Sequence, residues 1–501
     1  NTRRRTGCNA QPGREKHNAD RADSSGSKSV PIHPIRVLFF GARSIHWYGL
    51  TVIAQIRRQL LRTPLFYKIL WANVAIVGLG PAGCRAAMLL NQPGIDLHLF
   101  EARERIGGRL HTVPLEEGGF YEAGAEWIDA DQERILGLLE QFGQKPSISR
   151  QFPGRVVYRG EVCQEDDPWE DCLASVEGVE NAADLLLLDI EEPAYANVLY
   201  QDLDDQNLGD FLNRHATTPR GRWWLESTSR SDEGDDTENI SLLGWLAGCL
   251  KYQEREPGDM SAYRFPLGAT RFCEQMLEDL PQAPRFGVPL RRVERSFDQI
   301  SLVFDDFVED FDRVVLCLPA GPLAQVAFDP PLSESKQVAI EEVLSCRAIK
   351  ISLFFDKPWW KEDGKWSGRA LTDFCVQQVW DATRGDGPYV MNCYICGDGA
   401  EEILASSDPI QKAFRAVSEL GTIPEGCFLG GAVHDWIHDP YSLGGFSNLP
   451  PGFVLGGMEY LGQAEGRIHF AGEQTSTWIG FIEGALESAE RVAAEVLACK
   501  S

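Results

Sequence analysis

Val74-Ala-Ile-Val-Gly78-Leu-Gly80-Pro-Ala-Gly83 is a short β-branched run that ends on three spaced glycines and passes directly into the helix-forming Arg85-Ala-Ala-Met-Leu-Leu90. The order predicts strand, tight turn, helix. Gly78 makes the turn, Gly80 lets backbone approach a pyrophosphate, and Gly83 lets the helix pack on the strand, so that a dinucleotide phosphate meets the helix N-terminus. A second predicted strand, Asp96-Leu-His-Leu-Phe100, delivers Glu101 twenty-one positions after Gly80. A carboxylate there accepts hydrogen bonds from ribose hydroxyls and repels a 2′-phosphate. The glycines alone are compatible with an ordinary turn; strand, helix, second strand and terminal glutamate together define a dinucleotide-binding unit.

The residues from Glu101 onward select the dinucleotide. Glu101-Ala102-Arg103-Glu-Arg-Ile-Gly-Gly108-Arg109 resembles the segment after the second strand in flavin-containing amine oxidases, and the resemblance returns in Gly466-Arg-Ile-His-Phe-Ala-Gly472-Glu473-Gln-Thr-Ser-Thr-Trp478-Ile-Gly480-Phe481-Ile482-Glu-Gly-Ala485. A third similar segment, Gly118 to Asp129, contains Gly124-Ala125-Glu126-Trp127 and passes the flavin ring in that family. The resemblance implies FAD, with Gly108, Arg109, Gly124, Ala125, Glu126, Gly472, Gly480, Phe481 and Ile482 near it and Glu473 accepting from ribityl or ribose hydroxyls. Leu290 stands where the family usually has a valine whose backbone holds the adenine end. Asp439-Pro-Tyr-Ser-Leu-Gly-Gly445-Phe446 is similar to the region that carries the flavin-bound cysteine in monoamine oxidases; the matching residue is Gly445, so FAD is expected without a covalent link.

The expected fold class is α/β: a Rossmann-type FAD-binding domain, discontinuous in sequence, with an inserted α+β substrate domain. In order, the chain reads as a disordered basic tail (1–43), an amphipathic basic helix region (44–72), FAD-binding segments (73–144, 258–330, 455–501) and substrate-domain segments (145–257, 331–454). The length of 501 residues and 43% hydrophobic content allow several sizeable cores. Residues 1–72 hold 13 Lys/Arg against 3 Asp/Glu, whereas the whole chain carries a net charge of −26. An acidic body repels nucleic acid phosphates and attracts cationic small molecules into a cleft, although the same charge also serves solubility. The charge-free run Ser44–Ile56 is too short to span a bilayer. Residues 44–70 are open to three readings: a helix on an anionic membrane surface, part of a targeting sequence, or a helix packed on the acidic body. The 13 cysteines hold a single Cys-x-x-Cys spacing, Cys393-Tyr-Ile-Cys396, and no alternating Cys/His spacing, so no metal site is expected, and free thiols point to a reducing, cytoplasmic setting. A homodimer stays open.

The resemblance also assigns chemistry. Lys350, in Arg347-Ala-Ile-Lys-Ile followed by Phe355-Asp-Lys-Pro-Trp-Trp360, matches the family lysine that holds a water beside flavin N5; the alternating strand Ala348–Phe355 points it away from Ile349. Phe446 and Phe481 match the two aromatic residues that flank the amine in monoamine oxidases, with Trp478 beside them. Trp127 and Asp129 resemble a Trp-x-Glu arrangement of polyamine oxidases in which the acid binds a second ammonium. An L-amino acid oxidase instead needs an arginine for the α-carboxylate; Trp127 stands where many carry it, leaving Arg264 or Arg369 as candidates. The expected reaction is oxidation of an amine by hydride transfer to flavin, with dioxygen as acceptor, and an L-amino acid is the alternative substrate.

Overall fold

The computed structural model describes residues 72–498 apart from 150–153, 189, 191–192, 253–254, 256–257 and 362–365. The expectations for 1–43 and 44–70 lie outside these residues. A four-stranded parallel sheet holds, in spatial order, Ile95–Phe100, Ala72–Val77, Arg313–Leu316 and Ile468–Phe470. Val74, Ala75, Ile76 and Val77 are buried there, as an inner strand of a parallel sheet requires. The helix Pro81–Leu90 leaves Val77 through the glycine turn, and the long helix Ile482–Ala498 packs against it. Ala82, Ala86 and Ala87 of the first helix and Ala485, Ala489 and Ala493 of the second belong to one buried cluster; small side chains let the two helices come close.

A second sheet, in the order Val308–Phe311, Ile300–Val303, Arg292–Arg295 and Ala327–Asp329, covers the other side of this unit. Phe100, Phe304, Phe307 and Phe311 form an aromatic cluster there, with Phe100 stacked on Phe304 at 4.7 Å.

The seven-stranded mixed sheet runs Phe428–Asp435, Ala348–Phe355, Tyr389–Cys396, Gln378–Asp381, Ala370–Thr372, Arg155–Tyr158, Glu161–Gln164. Strands from both sides of residues 258–330 therefore share one sheet. Ile349, Ile351, Leu353 and Phe355 face a core shared with Trp359, Trp360 and Val417, and Lys350 stands on the opposite face, as alternation demands. Residues 170–252 supply mostly helices: Glu170–Leu187, Leu208–His215, Pro219–Glu233 and Leu242–Tyr252. The acidic run Ser231 to Glu238 is not one loop. Ser231–Glu233 end the helix that Thr218 caps, its side chain accepting from the Gly221 N–H, and Gly234 terminates it at φ +79°.

Candidate active site

The glycine turn has the shape the motif requires. Gly78 has φ +92°, and a Cβ on it would lie 2.7 Å from the Cys317 carbonyl oxygen; a Cβ on Gly83 would lie 1.9 Å from the Gly78 carbonyl oxygen. Neither position admits a side chain. At Gly80 the nearest atom to such a Cβ is 3.8 Å away, so the space beside it is open, where a phosphate can meet the helix N-terminus. Gly78, Gly80, Glu101, Ala102, Arg103 and Leu290 border one end of a cavity of about 1520 Å³. Gly83 stays outside its wall and serves helix packing.

Three distant segments meet at the Glu473 carboxylate. Oε1 accepts from the Ser447 N–H (3.1 Å) and hydroxyl (2.9 Å) and pairs with Arg109 (2.9 Å), while Oε2 accepts from the Gly480 N–H at 2.8 Å. Glu473 thus fastens the wall on which Gly108, Gly445, Gly472, Gly480, Phe481 and Ile482 lie. Glu101 likewise accepts from the Leu79 and Arg103 N–H groups (2.7 and 2.9 Å), and Arg103 reaches across to Asp439 and Ser442 (2.5 and 2.8 Å). Gln474 Oε1 and Glu126 Oε2 are buried oxygens without a partner among the described residues, leaving acceptors for a polar ligand in the same cavity. A glycine turn with open space, two inward-facing helix N-termini and these acceptors fit a dinucleotide of FAD type.

Lys350 is 7% exposed. Its Nζ donates to the Gly124 carbonyl at 2.7 Å and to Glu126 Oε1 at 3.1 Å, and it lies 5.1 Å from the Trp380 ring centre. The same Oε1 accepts from Trp380 Nε1 at 2.6 Å. Burial alone raises the Glu126 pKa, but Lys350, Arg264 and Arg384 together outweigh it and hold the carboxyl below its usual value. Glu126 is therefore the partner of Lys350, a role the sequence reading did not assign it. Ala125, Trp127 and Lys350 line the cavity together. Trp127 lies under the Arg264 guanidinium, whose carbon is 3.8 Å from the ring centre.

Phe446 and Phe481 both line the cavity. The Phe446 ring abuts Gly480, where a Cβ would come within 3.0 Å of it, and so lies beside Phe481. Trp478 departs from expectation: it is not on the wall but packs behind it, against Tyr252 (6.2 Å) and Phe481 (5.7 Å), with Lys251 Nζ 4.2 Å from its ring centre. Asp129 departs as well. Its carboxylate accepts from the Ser261 N–H (2.7 Å) and Gln132 Nε2 (3.2 Å) and pairs with Arg255 (3.1 Å), so it is spent inside the protein although it borders the cavity. Of the two candidate arginines, Arg264 is absent from the wall and Arg369 is on it, 3.0 Å from Glu165.

Sequence reasoning missed Tyr252, Asp232, Gln378, Trp380 and Tyr394, all on the wall. Gln378 and Trp380 alternate on one strand, and register pairs them with Tyr394 and Asn392; that period-two pattern was available, whereas the pairing was not.

A parallel dinucleotide sheet joined through one cavity to a buried lysine and an aromatic pair defines a flavoprotein oxidoreductase. The flavin-containing amine oxidoreductase family model matches residues 81–497; the chain belongs to this family, whose cofactor is FAD. It is 27% identical over 460 residues to an L-amino-acid oxidase of Siganus canaliculatus, covering 85% of each chain. It is 24% identical over 454 residues to flavin-containing amine oxidase A of Canis lupus familiaris, again covering 85% of each. A putrescine oxidase structure bound to putrescine superposes with a TM-score of 0.76 at 21% identity, over 86% of this chain and 99% of that one. The fold is that of an α/β flavoprotein. No helix among the described residues is long and apolar enough to cross a membrane.

Proposed function

We propose that the protein oxidises an amine at the carbon next to nitrogen, holding FAD without a covalent bond in a Rossmann-type domain and the amine in the inserted α+β domain. The single observation that carries the reading is the buried Lys350–Glu126 pair on the wall of a cavity that also reaches Phe446 and Phe481. Bound FAD supplies a two-electron acceptor that dioxygen reoxidises, so amine, oxygen and water give a carbonyl compound, ammonia or a smaller amine, and hydrogen peroxide. Lys350 has three N–H donors and spends two on Gly124 and Glu126, leaving one for a water held toward the reacting carbon. Phe446 and Phe481 take the alkyl chain and exclude bulk water, and an electron-rich ring attracts a cationic amine by roughly 0.5–2 kcal/mol, enough to orient it.

The choice of an amine over an amino acid rests on the cations. Lys350 faces Glu126, Arg255 faces Asp129, Arg369 faces Glu165, and Lys251 donates to the Thr477 carbonyl and hydroxyl. An α-carboxylate buried there without a cation costs several kcal/mol. The L-amino acid reading is favoured by the relative from Siganus canaliculatus and needs Arg369 to leave Glu165. A peroxide-coupled screen of amines, polyamines and the twenty L-amino acids decides: tyramine is expected to exceed tyrosine by at least ~100-fold in kcat/KM, about 3 kcal/mol of differential binding. An L-amino acid as the better substrate replaces this reading with the other. Acid precipitation tests the cofactor link, with all yellow colour expected in the supernatant.

A further inference from the structure

We infer that Asp232 anchors a second cationic group of the substrate, so that the preferred substrate is a diamine or longer polyamine and not a monoamine. The inference rests on the amine reading above and deepens it.

Asp232 sits in the last turn of the helix Pro219–Glu233, and that turn is fixed on both sides. Ser231 Oγ donates to Gln378 Oε1 at 3.0 Å, and Glu233 Oε2 accepts from Asn448 Nδ2 at 2.6 Å. Gly234 comes next, so close under Phe446 that a Cβ would lie 2.2 Å from the ring's Cζ. The helix end therefore rests on Phe446 and presents Asp232 two residues away. Asp232 lines the cavity. Its side chain is accessible by surface area, yet protein surrounds it closely enough to push its pKa up to about 7. The two facts agree when the space it meets is the cavity and not bulk water. Burial is the largest cause of that rise and Glu233 the next, with Arg369 opposing.

The other carboxylates at this end of the cavity are engaged. Glu126 pairs with Lys350, Asp129 with Arg255, Glu165 with Arg369, and Glu233 holds Asn448. Asp232 makes no hydrogen bond or ion pair to any described residue. A carboxylate facing a confined cavity without a partner is held at a cost, and an entering ammonium removes that cost by supplying both charge and donors. Monoamines have only one ammonium. An α,ω-diamine places one nitrogen at the Lys350 and Phe446 end and has a second for Asp232.

The test compares holoenzyme and Asp232→Asn on α,ω-diamines of increasing length and the n-alkylamines that match them. A hydrogen bond to a charged group predicts at least about a tenfold preference in kcat/KM for the best diamine over its monoamine in the unaltered enzyme. In Asp232→Asn that ratio falls toward one, and Asp232→Glu moves the optimum to a shorter diamine. Equal losses on both substrates in Asp232→Asn, or an unchanged ratio, overturn the inference. If Asp232→Asn does not fold, the unaltered enzyme decides alone: a diamine preference with a definite optimum length supports the anchor, and its absence overturns it. Monoamines turned over as well as diamines overturn only this inference, whereas L-amino acids turned over with no amine accepted overturns the amine reading itself.

Discussion

Replacing Lys350 with methionine removes more than a donor to water, because Glu126 is 1% exposed and loses its nearest cation. Breaking a buried pair from one side leaves an uncompensated charge and costs about 3–5 kcal/mol. Lys350→Met should therefore slow reduction of the bound flavin by orders of magnitude and also lower the unfolding midpoint. Glu126→Gln added to it should restore much of the stability and little of the rate, as denaturant titration and anaerobic stopped-flow absorbance would show. An equally slow, fully stable single variant would mean that Glu126 is not the charge Lys350 balances. Asp232 carries a prediction in pH. With its carboxyl near pH 7 it is neutral below and anionic above, so KM for a diamine should fall as pH rises through 7, and Asp232→Asn should lack that limb. Glu233 on its own helix, and Asp129, Glu165 and Arg369 from the opposing walls, are common to both proteins and cancel in the comparison. A KM profile identical in both would assign the limb to one of them.

Between strand and helix, the glycines separate two kinds of requirement. Gly83→Ala puts a methyl 1.9 Å from the Gly78 carbonyl and should destabilise the apoprotein, whereas Gly80→Ala finds open space and should leave the apoprotein folded while weakening FAD binding. Thermal unfolding of the apoprotein and flavin content after reconstitution read the two effects; similar apoprotein midpoints would remove the packing role from Gly83. This stretch was legible because each property is local: a β-branched run, a turn and a helix former within twenty residues. The strand Ala348–Phe355 was legible for the same reason, and its alternation put Lys350 on the face opposite Ile349. The pairing of Asp129 with Arg255 and the packing of Trp478 on Tyr252 were not legible, because these partners are distant in sequence and no periodicity announces their arrival. Asp232 was hidden by composition: Ser231-Asp-Glu-Gly-Asp-Asp looks like loop, although Thr218-Pro219 and Gly234 bracket a helix as cap, first-turn proline and terminator.

Across the whole molecule, charge should act on rate more than on the bound state. The 429 residues after position 72 hold 35 Lys/Arg against 71 Asp/Glu, a field that draws cations toward the cavity and is screened beyond about 8 Å at physiological ionic strength. For a diamine, kcat/KM should decline as salt rises, more steeply than for the matching monoamine; parallel declines would show that the field is not selective. The Glu473 junction has a consequence of another kind. Arg109 comes early in the chain, while Ser447, Glu473 and Gly480 are made hundreds of residues later, and the strand Ile468–Phe470 completes the sheet that carries the glycine turn. During synthesis, the ribosome has passed most of the message before any of these contacts exists. The walls of the cavity beside the glycine turn are therefore completed only late in synthesis, and a nascent chain stalled near residue 440 has that turn written without the carboxylate and strand that join it to the rest.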